Sequence, residues 1–427
     1  MNHRLGIYKL GSNQLACCLS VLLFAIGCQR AQPPEFRLNM VQAVSDETPT
    51  SPEYQQDIAN VLGALFGTPD EPYAPPESGL DQSRLRMAAG ASWSDKKGYN
   101  HGLYRKHCVH CHGITGDGRG PTARFLNPYP RDYRPAVYKF KSTYNPLRPT
   151  EEDLLRVLNN GIPGTAMPSF SLLPTSEVEA LAEYVKYLSI RGQMETALIN
   201  YVFNDLDEGE EDRVPLDPSS DPEQQEIVME MLAEIVDEWD SASENVIVPE
   251  EEFIPADDRT DEQVAASVAS GRELFYGTRA NCIKCHGPTA LGDGQQDDFN
   301  NWNKAHKKFL DDLANSEESE EPEEDFELVA SRNEVAASLF PVRNAIPRNL
   351  RQGIYRGGRR RLDIFWRVYA GIPGTPMPAT GAASPGAKGT LTEAEIWNIV
   401  DYVLSLPYEP PSQPLKALPE NLNAVTQ

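Results

Sequence analysis

The stretch Cys-Val-His-Cys-His at residues 108–112 recurs as Cys-Ile-Lys-Cys-His at residues 282–286. Each copy is followed by nearly the same octet, Gly-Ile-Pro-Gly-Thr-Ala-Met-Pro at 161–168 and Gly-Ile-Pro-Gly-Thr-Pro-Met-Pro at 371–378. The repeat predicts two domains of one kind, each with two cysteines, a histidine and a methionine in one site. Those residues are Cys108, Cys111, His112 and Met167 in the first copy and Cys282, Cys285, His286 and Met377 in the second.

The spacing of the cysteines points to a porphyrin. Two cysteines separated by two residues lie on one turn of chain, where both thiols can form thioether bonds to the vinyl groups of one haem. The histidine after the second cysteine then lies under the iron as proximal ligand. A thioether sulfur is soft, neutral and not titratable, so a distal methionine favours ferrous iron and raises the reduction potential. The pattern predicts two haem c groups, with one histidine and one methionine on each iron.

Two other uses of a Cys-x-x-Cys pair are disfavoured by the surrounding sequence. A zinc site needs a second pair of cysteines or histidines at finger-like spacing, and none follows within reach of either motif. A thioredoxin-like redox pair requires a preceding strand and no histidine at this fixed offset. Among the other histidines, only His306 is placed to compete for the second haem, and Met377 is favoured over it.

Both halves resemble class I cytochrome c domains, so the chain is similar to a dihaem c-type cytochrome. The resemblance covers residues 94–191 and 263–408. It implies an all-α fold, with two cytochrome c-like helical domains joined by a long acidic linker. In this family an arginine near a proline, here Arg131 or Arg348, often meets a haem propionate; an arginine on a surface turn is the alternative.

Local signals place the helices that the resemblance implies. Gly98 precedes the first motif and Gly271 the second, in the expected N-terminal helices. The C-terminal helices are predicted to start at the capping boxes 176–179 and 392–395, because a Ser or Thr followed three residues later by Glu satisfies two free backbone amides. A further helix in each half is predicted to end at the glycine that opens the octet.

Composition divides the rest of the chain into a leader, a tether, a linker, an insertion and a tail. The insertion is predicted because the step from histidine to methionine is 55 residues in the first copy and 91 in the second. The apolar stripe of the linker helix is expected to pack on a neighbouring domain. The predicted ranges are a lipoprotein-type signal peptide at 1–27, an N-terminal tether with a short helix at 28–93, cytochrome c domain 1 at 94–191, an acidic linker with one helix at 192–262, cytochrome c domain 2 at 263–408 with an acidic insertion at about 295–342, and a C-terminal tail at 409–427.

The N-terminus has the organisation of an export signal. A basic start precedes an apolar stretch from Leu15 to Gly27, which ends in Ala25-Ile26-Gly27-Cys28. That ending resembles the lipobox of bacterial lipoproteins, although alanine replaces the usual leucine three residues before the cysteine. We expect lipidation at Cys28 and a location on the periplasmic side of a bacterial membrane. A simple secretory peptide or an uncleaved anchor is the alternative, and either also exports the chain.

The charge of the chain is strongly uneven. The formal net charge is −24 at pH 7, which disfavours nucleic acid as a partner. Residues 205–262 hold 23 acids against two basic residues, whereas residues 81–150 hold thirteen Lys or Arg against four acids. Cations near a haem edge would steer an acidic redox protein towards it. The alternative is that these cations pair with the acids of the chain itself.

Two functional classes fit two haem domains. In the first, electron transfer, two His/Met-ligated haems pass single electrons between donor and acceptor proteins of a periplasmic or membrane-associated respiratory chain, and no residue is catalytic. The alternative is a dihaem cytochrome c peroxidase, in which one iron must have an open position for peroxide. The two intact methionine loops favour electron transfer.

Overall fold

The computed structural model describes residues 33–45, 49–206, 213–317 and 326–409. The predicted signal peptide with Cys28, nearly all of the predicted tail and part of the acidic insertion lie outside these ranges. None of the helices in the described ranges is both long and apolar enough to cross a membrane.

Helices dominate the regular structure of the described residues, beside one short antiparallel hairpin, in which Trp93 pairs with His101, and two isolated β-bridges. The all-α prediction is therefore confirmed. The first half contains α1 (Met40–Ala43), α2 (Pro52–Phe66), α3 (Gln82–Ala88), β1 (Trp93–Ser94), β2 (Asn100–His101), α4 (Leu103–His107), α5 (Val109–His112), α6 (Glu151–Asn160), α7 (Thr175–Tyr201) and α8 (Pro222–Asp240). The second half contains α9 (Asp261–Tyr276), α10 (Ile283–His286), α11 (Asn301–Glu317), α12 (Phe326–Ser338), α13 (Arg361–Tyr369) and α14 (Glu393–Ser405).

Helix α7 is the centre of the first half. It contacts α2, α3, α6 and α8, and both Tyr184 and Tyr187 on it are almost completely buried. The apolar stripe of α8, which includes Val228 and Leu232, joins the same core, as expected for the linker helix. Ile58 and Leu62 of α2 do so too, which extends the folded unit around the first motif beyond residues 94–191.

The second half is built on the crossing of α9 and α14. Capping boxes start both helices, at Thr260 with Gln263 and at Thr392 with Glu395, and the second of these was predicted. The crossing is close at Gly271, where a Cβ atom would lie 1.9 Å from the carbonyl oxygen of Asn398. Glycine at this position lets the two backbones approach each other without a side chain between them.

Two details predicted for the first half are wrong. Gly98 lies in the turn of the β1–β2 hairpin, with φ of +86° and no atom within 4 Å of an added Cβ, because this hairpin interrupts the expected N-terminal helix. The crossing with α7 is made instead by α3, through the buried Leu85 and Ala88. The capping box at 176–179 is also absent: the N-cap of α7 is Pro174, two residues before the predicted Ser176, so Ser176 lies inside the first turn.

The two halves pack against each other through the end of the linker. Thr143 and Val246 form an antiparallel bridge, and the next residue, Ile247, accepts a hydrogen bond of 2.9 Å from the indole of Trp366 on α13. The guanidinium of Arg156 on α6 lies 4.9 Å from the centre of the Trp366 ring. The helices that precede the two methionine loops are therefore in contact.

The insertion of the second half packs on the first half. The hydroxyl of Tyr129 donates a hydrogen bond of 3.0 Å to the carbonyl of Pro341, and its ring lies against Trp302 and Phe340 at 5.3 and 5.2 Å. The guanidinium of Arg343 lies 3.9 Å from the centre of the same ring. A segment added to one domain thus holds a loop of the other.

The close crossing at Gly271 predicts the outcome of a paired substitution. Gly271→Ala should lower the free energy of unfolding by about 1–3 kcal/mol, the usual cost of overpacking. Gly63→Ala is the matched control, because Gly63 lies inside α2 with no atom within 4 Å of an added Cβ. That change should raise the free energy of unfolding by about 0.5–1 kcal/mol, since alanine is the better helix former. Denaturant unfolding of the purified holoprotein measures both, and equal stability of the two variants would contradict the close crossing.

Candidate functional site

Both Cys-x-x-Cys-His motifs form the same single turn of helix. The carbonyl of Cys108 accepts hydrogen bonds from the amides of Cys111 and His112, at 3.1 and 2.9 Å. The carbonyl of Cys282 accepts the same two bonds in the second copy, at 3.3 and 2.9 Å. A glycine with positive φ ends each turn, Gly113 at +74° and Gly287 at +77°. The turn places both cysteine side chains of a motif close together, as attachment to one porphyrin requires.

The first motif opens onto a large cavity. Cys108, Cys111, His112 and Met167 all line it, so the structure brings together the four predicted residues of this copy. The space that it encloses, including the part open to solvent, is about 1530 Å³. The remaining wall is largely apolar and includes Leu154, Leu158, Phe170 and Val185. A flat hydrophobic cofactor fits this lining.

Each motif histidine is oriented by a backbone carbonyl. His112 Nδ1 lies 3.0 Å from the carbonyl oxygen of Arg131, and His286 Nδ1 lies 3.2 Å from that of Arg348. A carbonyl oxygen only accepts, so the imidazole proton is on Nδ1 and Nε2 keeps its lone pair for a metal. Burial lowers the pKa of His112 to about 4 and also lowers the pKa of His286, which favours the neutral, metal-binding form.

Burial also keeps the first thiol of each motif protonated. It raises the pKa of Cys108 and of Cys282 to about 12, and it raises the pKa of Cys285 as well. The described residues hold no group of three or more His, Cys, Asp and Glu side chains arranged to bind a metal ion.

The two methionine loops have the same hydrogen bonds. In the first, the Ile162 amide donates to the Met167 carbonyl at 3.1 Å, and the Met167 amide donates to Thr165 Oγ1 at 3.1 Å. In the second, the Ile372 amide donates to the Met377 carbonyl at 3.1 Å, and the Met377 amide donates to the hydroxyl of the corresponding threonine at 3.3 Å. Each methionine therefore lies in a loop that is closed by hydrogen bonds and follows the end of a helix.

The second copy assembles on its own core. Cys282 and Met377 are both half-buried and pack against the cluster that includes Phe275 and Phe365. The ring of His286 lies 6.2 Å from that of Phe275. Cys282, His286 and Met377 thus share one hydrophobic environment.

Half-buried cations at the first cavity favour an anionic group. Lys139 and Arg356 line the cavity together with Arg131. Burial, with Arg131 and Arg356 as further causes, lowers the pKa of Lys139 to about 7. The Nε atom of Arg356 is buried and has no hydrogen-bond partner among the described residues. The two propionates of a haem would supply negative charge to these groups, so the residues present fit the predicted cofactor.

His306 contacts a residue of the first half of the chain. It is buried against the first half, where Arg119 Nη2 lies 3.3 Å from its Nε2 and Trp302 packs on its ring at 4.1 Å. Burial and the nearby Arg119 lower its pKa to about 3, so the ring is neutral and accepts the bond. This nitrogen is engaged by an arginine, which agrees with the preference for Met377.

Several residues of the first cavity were not predicted. Tyr133 stacks on the His112 ring at 4.6 Å with an angle of 15° between the rings. Asn300, Trp302 and Arg356 also line the cavity, although they belong to the second half of the chain. Tyr133 could have been noticed as an aromatic residue two positions after Arg131. The other three depend on how the halves dock, for which no local pattern exists.

Comparison with known proteins identifies both halves. Residues 100–185 match the family described as cytochrome c oxidase, cbb3-type, subunit III, and residues 268–407 match the family described as cytochrome c. A search among curated proteins gives no match. Among solved structures, a chain of the reducing HAO-like protein complex of Kuenenia stuttgartiensis has a TM-score of 0.41 and 20% identity, over 71% of this chain and 94% of that chain.

The two matched ranges coincide with the two structural repeats. Each contains one Cys-x-x-Cys-His turn and one methionine octet, and together they cover just over half of the chain. Cytochrome c domains bind haem c covalently through these cysteines and transfer electrons through its iron. The chain belongs to the dihaem c-type cytochromes.

Proposed function

We propose that this protein is an electron carrier or electron-transfer subunit with two His/Met-ligated haems, His112 and Met167 on one iron and His286 and Met377 on the other. The observation that supports this proposal is that the histidine and the methionine loop have the same hydrogen bonds in both copies. Each histidine has a free Nε2, and each methionine is held by a loop with the same hydrogen bonds. Haem bound there supplies one-electron iron chemistry, and the protein contributes attachment, axial ligands and shielding from water.

The docking of the two domains supports electron transfer inside the chain. The helices before the two methionine loops touch at Arg156 and Trp366, and residues of the second half complete the wall of the first cavity. With haem in both sites, one electron lost by the first would be one electron gained by the second, with no bond made or broken. The long acidic linker does not separate the sites, because its described helix packs on the first domain.

We further propose a place in a respiratory chain on the periplasmic side of a bacterial membrane. The family matched by the first domain is named for a subunit of cytochrome c oxidase, which supports a respiratory role. The lipobox-like ending at Cys28 supports export and a lipid anchor. Lys96, Lys97 and Lys106 are exposed and make no ion pair among the described residues, which supports an acidic redox protein as partner.

Substitution of the distal ligands tests the assignment of the methionines. Met167→Ala or Met377→Ala should leave both haems attached but abolish the sulfur-to-iron charge-transfer band of one of them. The reduction potential of that haem should fall by roughly a tenth of a volt or more, since axial ligands set potentials over a range of about 0.8 V. Optical redox titration with added cyanide measures both effects.

The same titration separates the electron carrier from a dihaem peroxidase. In the unsubstituted protein both haems should be low-spin and inert to peroxide. A haem that is high-spin, or that reacts with peroxide once the other is reduced, would make the protein an enzyme. Unchanged cyanide binding in both methionine variants would show that other residues fill the distal positions.

Loss of both cysteines of one motif tests the independence of the two attachment sites. Cys108→Ser combined with Cys111→Ser should halve the covalently bound haem per chain, because no thiol remains in that motif while the second motif is complete in itself. Cys282→Ser combined with Cys285→Ser should do the same and leave the first haem attached. Pyridine haemochrome spectra and the mass of the denatured protein measure this, and two covalent haems in either double variant would contradict the proposed sites.

Substitution of Cys28 tests the proposed lipid anchor. Cys28→Ser should move the protein from the membrane pellet to the soluble periplasmic fraction, because a lipid anchor can no longer be attached. Cys18→Ser is the matched control, since Cys18 lies in the same leader before the predicted cleavage site. Retention of the Cys28→Ser protein in the pellet would point to a different anchor.

A further inference from the structure

Arg131 and Arg348 occupy equivalent positions, and each one contacts both halves of the molecule. The backbone carbonyl of Arg131 binds the motif histidine of its own domain, as does that of Arg348. Their side chains extend towards the other domain. The same residue therefore touches the proximal side of one haem site and some part of the neighbouring domain.

The part that each side chain reaches is the methionine loop. A Cβ atom added at Gly164 would lie 2.8 Å from Arg348 Nη2 and 3.2 Å from Ile354 Cγ2. A Cβ atom added at Gly374 would lie 3.7 Å from Arg131 Nη1 and 3.1 Å from Val137 Cγ1. Both glycines occupy the fourth position of an octet, three residues before the methionine. The contacts are reciprocal between the two domains.

Glycine is required where these contacts occur. Gly164 and Gly374 have φ of +74° and +71°, a region in which other residues are strained. The absence of a side chain also leaves room for the approaching arginine. At Gly374 the loop is held by the second domain too, because the Asn301 amide donates to its carbonyl at 3.1 Å.

We propose that Arg131 and Arg348 are positioning residues that act across the domain boundary. Arg348 sets the methionine loop of the first haem, and Arg131 sets that of the second. The inference rests on the proposed His/Met ligation. Its consequence is that each distal ligand depends on the domain that holds the other haem, so the two reduction potentials are linked through the interface.

The contacts indicate that the shape of the arginine side chain, and not its charge alone, positions the loop. Arg348 Nε is buried and unpartnered among the described residues, while Nη2 reaches Ile354 O at 3.4 Å and lies over Gly164. A planar guanidinium can rest on a loop and keep a fixed orientation, which the point charge of lysine cannot do. Lysine at this position therefore retains the charge and loses the geometry.

The test isolates one haem at a time. In a Met377→His background the second haem becomes bis-histidine and titrates at lower potential, leaving the sulfur-to-iron band to the first haem. Arg348→Ala in this background should then weaken that band. It should also lower the ratio of reduced to oxidised first haem about tenfold at fixed potential, which is 59 mV for one electron. Arg348→Lys should recover only part of the change.

Arg359→Ala is the matched control, because Arg359 is an exposed arginine of the same domain that donates to the Tyr408 hydroxyl. It should leave the first haem unchanged. The reciprocal experiment measures the effect of Arg131→Ala on the second haem in a Met167→His background. It keeps the inference testable if one arginine variant fails to fold.

Three results would overturn the inference. A shift confined to the haem of the substituted domain would mean that the arginine serves only its own site. If Arg348→Lys fully restored the band and the potential of the first haem, only the positive charge of Arg348 would matter and not its geometry. A Met377→His protein that still has two sulfur-ligated haems would instead refute the proposed ligation, and the positioning role would fall with it.

Discussion

The bond between each motif histidine and an arginine carbonyl constrains the rest of both domains. It requires the chain to leave the Cys-x-x-Cys-His turn and return beneath the imidazole. In the first domain the return comes 19 residues after His112, whereas in the second it comes 62 residues after His286. The geometry is the same in both domains, because a glycine in each loop lies against the returning segment of chain. A Cβ atom added at Gly118 or Gly292 would be within 2.7 Å of a proline carbonyl oxygen. Extra chain is tolerated between fixed ends, since the entropy of loop closure grows slowly with length.

The additional residues of the second loop have a structural consequence. They form α11 and α12, and they bring Trp302 and Phe340 onto Tyr129 of the first domain. Trp302 also lines the first cavity. The difference in spacing between the two copies, visible in the sequence as 55 against 91 residues, is therefore one of the features that make the first haem site depend on the second domain.

The sequence predicted those features that are specified locally. Turn geometry at 108–112 and 282–286, the capping box at Thr392 and the helices that end at the octets all follow from residues close together in the chain. Gly98 was misplaced because a hairpin of nine residues interrupts a helix, and the spacing alone could not distinguish a helix from a turn. The reciprocal contacts of Arg131 and Arg348 could not be predicted, since they depend on how two separately folded cores dock.

The basic residues near the first motif fall into two groups in the structure. Some pair with acids of the chain: Arg84 lies 3.0 Å from Glu151 and 3.1 Å from Glu179, and Arg148 binds Glu238 on the acidic linker helix. The linker therefore neutralises part of the positive charge. Lys96 and Lys97, at the tip of the β1–β2 hairpin, form no ion pair in the described part of the chain. This hairpin is the same element that interrupts the expected helix, and it projects two lysines beside the exposed ring of Trp93. Because exposed charges act mainly on the rate of encounter, we propose that the hairpin steers an acidic redox protein towards the first haem domain rather than holding it there.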